Sequence, residues 1–482
     1  MIKNERQYRI TKAQADKFTE AISRVEHAPS SANPLIVKAS RAALESQLAD
    51  LHADIEEYEQ LRSGNVQLVE VESFQELPAA LIRARIAAGL SQKDLGERLD
   101  MKEQQIQRYE ATDYAGASFS TLSAVVKALG VSMREDILVP TGSLTVNKFL
   151  SRLEGLGLDK SFVQNRLFPR DAPATAVPAG PQTGELVFKT ASNLRRVYGW
   201  SLAESIGPVL PKYDFAAAGV ARFKLPARVA DQRLSAYTIY AHHLATLAIQ
   251  VTPTLELKPI PRNPSEVIDA IMAASGEITL ASALQYIWSL GIVVLPLQDA
   301  GAFHGAFWRM NGRGVIILKQ QTRSEARWLF DLLHELWHAG EEPDQAERSL
   351  LELPETDAER RDSTEEKHAS MFAGNVALFG RAEELVKLVL KETDSDIRRF
   401  KAAVPKIAAR EGVGTGSLAN YIAFRLSLQG QNWWGTANNL QSEGDPWTVV
   451  RDAFLLRCDL SQATPTDREL LTRALEEPEV TA

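Results

Sequence analysis

Apolar residues recur at intervals of three and four along most of the chain, a spacing that is typical of amphipathic helices. The first such segment begins at Thr11, an N-cap residue type, and runs to Val25. A second runs from about Leu35 to Arg62 with a near-heptad rhythm of apolar positions. We therefore predict a helical hairpin arm over residues 1–64, which would pack on the rest of the protein or on a second copy.

Short helices follow in residues 72–139. Gly89 is placed to end one helix, Ser91 to cap the next, and Asp100 to occupy a turn that needs left-handed backbone. Gly96 supplies the small side chain that two closely crossing helices require. The order of helix, break, short helix, tight turn and short helix resembles the XRE type of helix-turn-helix, and the resemblance implies a five-helix DNA-binding domain.

This resemblance places the helix from about Lys102 to Glu110 in the major groove of DNA. Four of its outward side chains then match positions that touch bases or phosphates in that family. A further polar residue, at the start of the preceding helix, is expected to cap onto the DNA backbone. These residues are Glu103, Gln104, Gln107 and Arg108, together with Gln92. Residues 81–140 carry as many acidic as basic side chains, so we expect modest affinity per domain and a homodimer on its operator. A helix-turn-helix retained for protein docking is the alternative.

Residues 140–264 continue as helical segments with one interruption. Proline and alanine dominate much of residues 168–186, and such a composition makes few packing contacts. His242 and His243 are adjacent, so they face different directions and make a poor metal pair. We predict a helical connector that contains a Pro/Ala-rich linker.

Two apolar runs of β-forming residues then flank a turn. Ala306–Met310 and Gly314–Lys319 lie on either side of Asn311-Gly312, which is a strong hairpin signal. If this hairpin lies at the edge of a sheet, it could hold a substrate backbone by β-augmentation. A hairpin that only covers the core is the alternative.

A strongly apolar segment follows, in which His334 and His338 are four residues apart and Glu335 comes directly after the first. Thr322 to Glu325 has capping-box spacing at its start, and Gly340 is placed to end it. One helical turn brings both imidazoles onto one face, with Glu335 about 100° round the helix. Because buried histidines and carboxylates are costly unless something binds them, we predict one Zn²⁺ ion, with Glu335 as the catalytic base. The alternative is a chance match on an ordinary buried helix.

The third metal ligand is expected downstream, at Glu366. Ser363 and Glu366 again have capping-box spacing, and the apolar positions that follow put Glu366 on the inward face of its helix. The alternative is a carboxylate that only stabilises the helix N-terminus. His304 and His368 are candidates for stabilising the oxyanion.

With these motifs, residues 265–428 resemble a known family, the ImmA/IrrE metallopeptidases. The likeness rests on the strands before the helix, on the His-Glu-x-x-His motif, and on Glu366-x-x-Ala-x-x-Phe-Ala373. Ser370 replaces the family's usual Asn, and Trp337 stands where Gly is common. The resemblance implies a zincin-like domain and a zinc endopeptidase that cleaves partner regulators, such as repressors or antitoxins, in stress response, mobile elements or phage defence. Residues 429–482 would form a helical tail, loosely ordered from Thr464.

Composition limits this picture. The 482 residues carry a net charge of −8, so no overall basic field indicates nucleic acid binding. The single cysteine, Cys458, excludes an internal disulfide framework and fits a reducing cytoplasm. No segment reaches the roughly eighteen apolar residues of a membrane span, so we expect a cytoplasmic protein with no membrane partner.

The expected fold class is α+β and mostly helical, with a small sheet that contains antiparallel strands. The expected function is that of a DNA-binding regulatory zinc endopeptidase that acts on a protein substrate or cognate regulator. The alternative is a transcriptional regulator or toxin–antitoxin component whose metal site is not proteolytic.

Overall fold

Helices account for most of the chain in the computed structural model, which describes residues 1–26, 34–64, 71, 76–131, 145–170, 181–214, 232–253, 255–299, 305–352 and 364–477. The chain divides into two units, Met1–Ile137 and Leu138–Ala482. One small mixed sheet lies in the second unit. The mostly helical α+β class is therefore confirmed.

The helices of the first unit are α1 (Glu5–Glu26), α2 (Pro34–Arg62), α3 (Leu77–Ala87), α4 (Gln92–Leu99), α5 (Glu103–Ala111) and α6 (Phe119–Leu129). The predicted start of α1 at Thr11 is wrong. Asn4 Oδ1 accepts the backbone N–H of Gln7 at 2.9 Å, so the first turn is capped about two turns earlier. The fifth helix expected in the helix-turn-helix domain falls on residues outside the described ones.

α1 and α2 form the predicted helical hairpin. Tyr8 stacks on Tyr58 with ring centroids 5.2 Å apart, and Arg62 Nη1 pairs with Glu5 Oε2 at 2.5 Å. Tyr58 and Leu61 are buried in the same hydrophobic core as α3, α4 and α5. The arm therefore packs on helices of the same unit, and its packing on a second copy stays untested.

The second unit is larger and its helices share one hydrophobic core with its sheet. Its helices are α7 (Val146–Glu154), α8 (Lys160–Phe162), α9 (Pro181–Tyr198), α10 (Leu202–Ile206), α11 (Gln232–Val251), α12 (Pro264–Ser275), α13 (Leu280–Ser289), α14 (Glu325–Ala339), α15 (Thr364–Ala377), α16 (Ala382–Glu392), α17 (Ile397–Glu411), α18 (Thr415–Ser427), α19 (Trp434–Asn438), α20 (Pro446–Leu455) and α21 (Pro465–Ala474). A π-helical turn follows α8 at Val163–Leu167, and a 3-10 turn precedes α21 at Leu460–Gln462.

The strands are β1 (Ile292–Leu297), β2 (Gly305–Met310), β3 (Arg313–Lys319) and β4 (Arg348–Glu352), in the sheet order β1-β3-β2-β4. β1 runs parallel to β3, and β2 runs antiparallel to both β3 and β4. Asn311 and Gly312 turn the β2–β3 hairpin with φ of 50° and 79°, as its Asn-Gly sequence predicts. β1 is buried throughout, which explains its unbroken apolar run.

The hairpin does not lie at the edge of the sheet. β3 pairs with β1 on its outer side and β2 pairs with β4, so both hairpin strands are internal. β4 was not predicted, because a five-residue strand with Arg348 and Glu352 at its ends carries little apolar signal. The proposed substrate-holding edge therefore cannot be the hairpin.

Two predictions for the segments around this sheet are wrong in part. α9 begins at Pro181, so residues 181–186 are helical rather than linker, while residues 171–180 lie outside the described ones. The tail beyond Thr464 is ordered up to residue 477, since Thr464 caps α21 and the side chains of Leu470 and Leu471 are fully buried. The prediction failed because it relied on the acidic composition of this segment and not on the helical spacing of its apolar residues.

Among the described residues, no single helix is both long and apolar enough to cross a membrane. α12 and α13 satisfy length and composition only when taken together, and they are bent by 104° at the break between them.

Candidate metal centre and DNA-binding helices

α14 carries the histidine pair, and twelve of its fifteen residues are buried. Ser324 caps its first turn by accepting the backbone N–H of Arg327 at 3.1 Å, whereas the prediction placed the cap at Thr322. The carbonyl of Thr322 instead accepts the indole N–H of Trp328 at 2.9 Å, which fixes the entry to the helix. Gly340 is the C-cap residue, as predicted.

His334, His338 and Glu366 bring three potential ligand atoms to one point. The two Nε2 atoms of the histidines are 3.2 Å apart, and Glu366 Oε2 lies 3.1 Å from that of His334 and 3.8 Å from that of His338. Ligands bound at about 2.0–2.1 Å to a tetrahedral ion are separated from each other by about 3.3 Å. The residues present therefore fit a zinc ion.

The position of Glu366 is fixed by the packing of α15. Ala369, Phe372 and Ala373 are buried on the same face, as the apolar spacing predicts. Gly374 allows α15 to approach α18 closely, because a Cβ at this position would lie 2.0 Å from Tyr421 Cδ2. The predicted cap, Ser363, lies outside the described residues.

The far side of each histidine ring has a polar neighbour. Ser370 Oγ lies 3.3 Å from His334 Nδ1, and Glu341 Oε2 lies 3.3 Å from His338 Nδ1. Hydrogen bonds at Nδ1 fix the tautomer and the ring orientation, so that Nε2 is left for a metal. Ser370, which replaces the Asn usual in the resembled family, therefore lies where it can orient His334.

Glu341 is itself held by arginine side chains. Arg348 Nη2 donates to Glu341 Oε2 at 2.7 Å, and Arg348 Nη1 donates to the carbonyl of His338 at 2.8 Å. Arg262 approaches the other Glu341 oxygen at 3.5 Å and stacks over the ring of Trp337 at 4.5 Å. Sequence analysis missed this network, since its members come from the loop after α14, from β4 and from the segment before α12.

Burial and charge act in opposite directions at this cluster. Burial opposes the charged form of His338, but hydrogen bonds with Glu341 and Glu366 outweigh it and raise the pKa of His338 to about 9. Burial would also raise the pKa of Glu366, yet the two histidines hold it well below its ordinary value. The cluster is therefore built to hold a positive charge between its ring nitrogens and a carboxylate.

Glu335, the predicted base, is fully buried on α14 directly after His334. A carboxylate in such surroundings has a function or a compensating contact, because its desolvation is otherwise too costly. Of the two oxyanion candidates, His304 lies outside the described residues. His368 has its ring 6.2 Å from that of Trp337, measured between centroids.

In the first unit, α4 and α5 have the predicted helix-turn-helix construction. Ser91 and Asp94 form a capping box at the start of α4, and Asp100 ends it with φ of 54°. A Cβ on Gly96 would lie 2.8 Å from the carbonyl oxygen of Met101, so a larger residue would push the two helices apart. The predictions for Ser91, Gly96 and Asp100 are confirmed.

The predicted DNA contacts divide into two groups. Glu103, Gln104, Gln107 and Arg108 are exposed on α5. Gln107 Nε2 donates to Glu103 Oε1 at 2.8 Å, which orients both side chains on the outer surface. The contact of Gln92 with the DNA backbone stays a prediction, and this side chain, which is 7% exposed, donates to Glu110 Oε2 at 2.7 Å. The buried carboxylate of Glu110 attracted this side chain inward.

That carboxylate belongs to an ion pair that sequence analysis missed. Arg85 Nε and Nη2 donate to the two oxygens of Glu110 at 2.6 and 2.7 Å, and both side chains are almost completely buried. The sequence does carry a signal for this pair, because Arg85 and Glu110 each lie on a helix face that is otherwise apolar. The pair joins α3 to the end of α5.

Comparison with known proteins gives one match. Residues 81–135 match the family model described as Helix-turn-helix, which covers most of α3 and the whole of α4 to α6 and supports a DNA-binding regulator. No curated protein and no solved structure matches the chain significantly.

Proposed function

We propose that this protein is a DNA-binding regulator whose second unit is a zinc endopeptidase that cleaves a partner regulator. The observation that carries the proposal is the convergence of three ligand atoms within 4.8 Å of one another, beside a fully buried glutamate. The helix-turn-helix match supports the DNA-binding part.

The donor set suits a catalytic rather than a purely structural zinc ion. Among the described residues, two imidazole nitrogens and one carboxylate oxygen converge. A zinc ion held by three ligands would keep a fourth position for water, whereas structural sites are usually closed by four protein ligands. When bound, Zn²⁺ would polarise a scissile carbonyl and lower the pKa of a coordinated water to about 7.

The residues of the chain then have separate tasks. His334, His338 and Glu366 would hold the ion, while Ser370 and Glu341 lie where they keep the two rings in position. Glu335 would take the proton of the attacking water and pass it to the leaving amine. The burial of Glu335 supports this task, because desolvation makes a carboxylate a stronger base.

The substrate class rests on the resemblance to the ImmA/IrrE metallopeptidases, whose members cleave repressors and antitoxins. An extended substrate would find unpaired backbone groups at β4, which pairs on one side with β2 among the described strands. The DNA-binding unit would then either control the gene's own operon or keep the peptidase near a DNA-bound target.

A second candidate is a transcriptional regulator or toxin–antitoxin component whose metal site is structural or sensory. It is favoured by the comparison with known families, because the match is confined to residues 81–135. A toxin would cause growth arrest on expression, and Glu335→Gln would abolish that arrest.

Metal analysis and one pair of variants test the proposal. The purified full chain should contain about one zinc ion, as should Glu335→Gln, while His338→Ala should lose roughly a hundredfold or more in zinc affinity. Co-expression with a regulator encoded next to this gene should deplete that regulator, and Glu335→Gln should stop the depletion. Zinc-dependent depletion that persists in Glu335→Gln would exclude catalysis by this site.

A further inference from the structure

A cleft of about 790 Å³ opens in the first unit. Residues at the start of α1 form one wall, including Asn4 and Arg6. Gln92 at the start of α4 also lines the cleft, together with Glu103 and Gln107 of α5. The cleft therefore borders the helix that carries the predicted base-reading side chains.

The charge of this cleft is opposite to that of the chain. Its lining has four basic and two acidic side chains, whereas the whole chain has a net charge of −8. The basic residues are Lys3, Arg6, Arg62 and Arg85, and the acidic ones are Glu5 and Glu103. Four amide side chains also line it and can donate hydrogen bonds. A ligand suited to these groups is anionic and rich in oxygen acceptors.

The α1 wall of the cleft is held in place by contacts with the helix-turn-helix. Arg85 Nη2 donates to the carbonyl of Lys3 at 2.7 Å, and Lys3 Nζ donates to the carbonyl of Glu110 at 2.6 Å. Lys3 Nζ also pairs with Asp113 at 2.8 Å. A ligand that binds here therefore meets a surface already fixed relative to α5, which lowers the entropic cost of binding.

Arg6 differs from the other basic residues of the cleft. Lys3, Arg62 and Arg85 are each paired with an acidic side chain. Arg6 is exposed, and none of the ion pairs or hydrogen bonds found in the described part of the chain involves it. Its guanidinium is therefore available to an external oxyanion.

We propose that the start of α1 extends the DNA-binding surface, with Arg6 contacting a phosphate of the sugar–phosphate backbone beside α5. In helix-turn-helix proteins the recognition helix lies in the major groove while flanking groups contact the backbone and fix the register. A basic, amide-lined wall beside α5 suits that backbone. This inference rests on the DNA-binding part of the proposed function.

Binding of the full chain to a random-sequence duplex of about 30 base pairs, roughly three helical turns, tests the inference. Phosphate contacts do not depend on sequence, so no operator is needed. Arg6→Ala should weaken binding up to about fivefold, the size of one exposed ion pair. It should also reduce the slope of log affinity against log salt concentration by about 0.9. Arg6→Glu should weaken binding further.

Lys17→Ala is the matched control. Lys17 is exposed on the same helix but eleven residues further along, about 16 Å away, and it does not line the cleft. This variant should keep the wild-type salt slope. If both Arg6 variants bind the duplex with the affinity and the salt slope of the wild type, this inference is overturned while the DNA-binding function stands. Failure of the wild-type chain to bind the duplex would overturn it together with the DNA-binding function.

Discussion

Each unit of this chain has a buried cluster of titratable side chains near its candidate site, and the two clusters differ. In the first unit, Arg85 and Glu110 neutralise each other, and four of the five side chains expected to touch DNA are exposed. In the second, two imidazole nitrogens and a carboxylate oxygen converge on one point. A buried Arg–Glu pair is complete in itself, whereas two ring nitrogens that face each other at 3.2 Å favour a cation between them. The contrast is between an exposed surface suited to binding DNA and a buried cluster suited to enclosing a cation.

The largest effect is expected from breaking the buried pair of the first unit. Glu110→Ala leaves the guanidinium of Arg85 buried without its carboxylate and removes the acceptor of Gln92. The loss should be about 3–5 kcal/mol of the free energy of unfolding of this unit. Far-UV circular dichroism during denaturant unfolding should show an earlier transition.

Tryptophan fluorescence supplies the internal control for that experiment, because all eight tryptophans lie in the second unit. Its transition should not change in Glu110→Ala. Glu103→Ala, an exposed glutamate of the same helix, should alter stability by no more than about 0.5 kcal/mol. Equal stability of Glu110→Ala and Glu103→Ala would show that the buried pair contributes little.

A smaller effect is expected at the metal cluster from Glu341→Gln. Loss of the carboxylate weakens the support of His338 Nδ1 and should lower zinc affinity by about 10- to 100-fold. Competition with a chromophoric zinc chelator measures this affinity. Glu342→Gln is the matched control, because Glu342 also pairs with Arg348, at 3.3 Å, yet is 56% exposed. If the two variants bind zinc equally well, Glu341 does not position the histidine.

The smallest effect on stability is expected from breaking the ion pair between Asp467 and Arg196 in the second unit, which resembles the Arg85–Glu110 pair of the first. Asp467 accepts from Arg196 Nε at 2.7 Å. Burial alone would raise the pKa of Asp467, but hydrogen bonds with His243 and Arg196 hold it well below its ordinary value. Its stabilising effect is therefore complete above the unfolded pKa of about 4 and is lost as pH falls towards the lower folded pKa.

Asp467→Asn should accordingly reduce stability by about 1 kcal/mol at neutral pH, and its stability should fall less steeply than that of the wild type below about pH 4. Thermal unfolding followed by tryptophan fluorescence reports on the second unit. Asp394→Asn, which removes an exposed pair with Arg399, should change neither property. A wild-type acid profile in Asp467→Asn would contradict the assignment.

The sequence predicted features that depend on local spacing. Two histidines four residues apart lie on one helical face wherever the helix lies, and Ser91, Gly96 and Asp100 have the roles that their residue types allow. It failed where a strand lacked apolar residues or where two charged side chains pair across the fold. β4 pairs with the edge of β2 that β3 leaves open, and Arg85 pairs with Glu110.

By itself, the sequence determined the helical hairpin, the helix-turn-helix and the residue types of the candidate metal centre, because each depends on local propensity and period. Only the tertiary structure decided that Glu366 reaches the histidines across the α14–α15 contact and that Glu341 and Arg348 support one of them. It also decided that the start of α1 forms a wall beside α5. The physical reason is that such contacts join residues far apart in the chain, and they depend on how the buried faces of whole elements pack together.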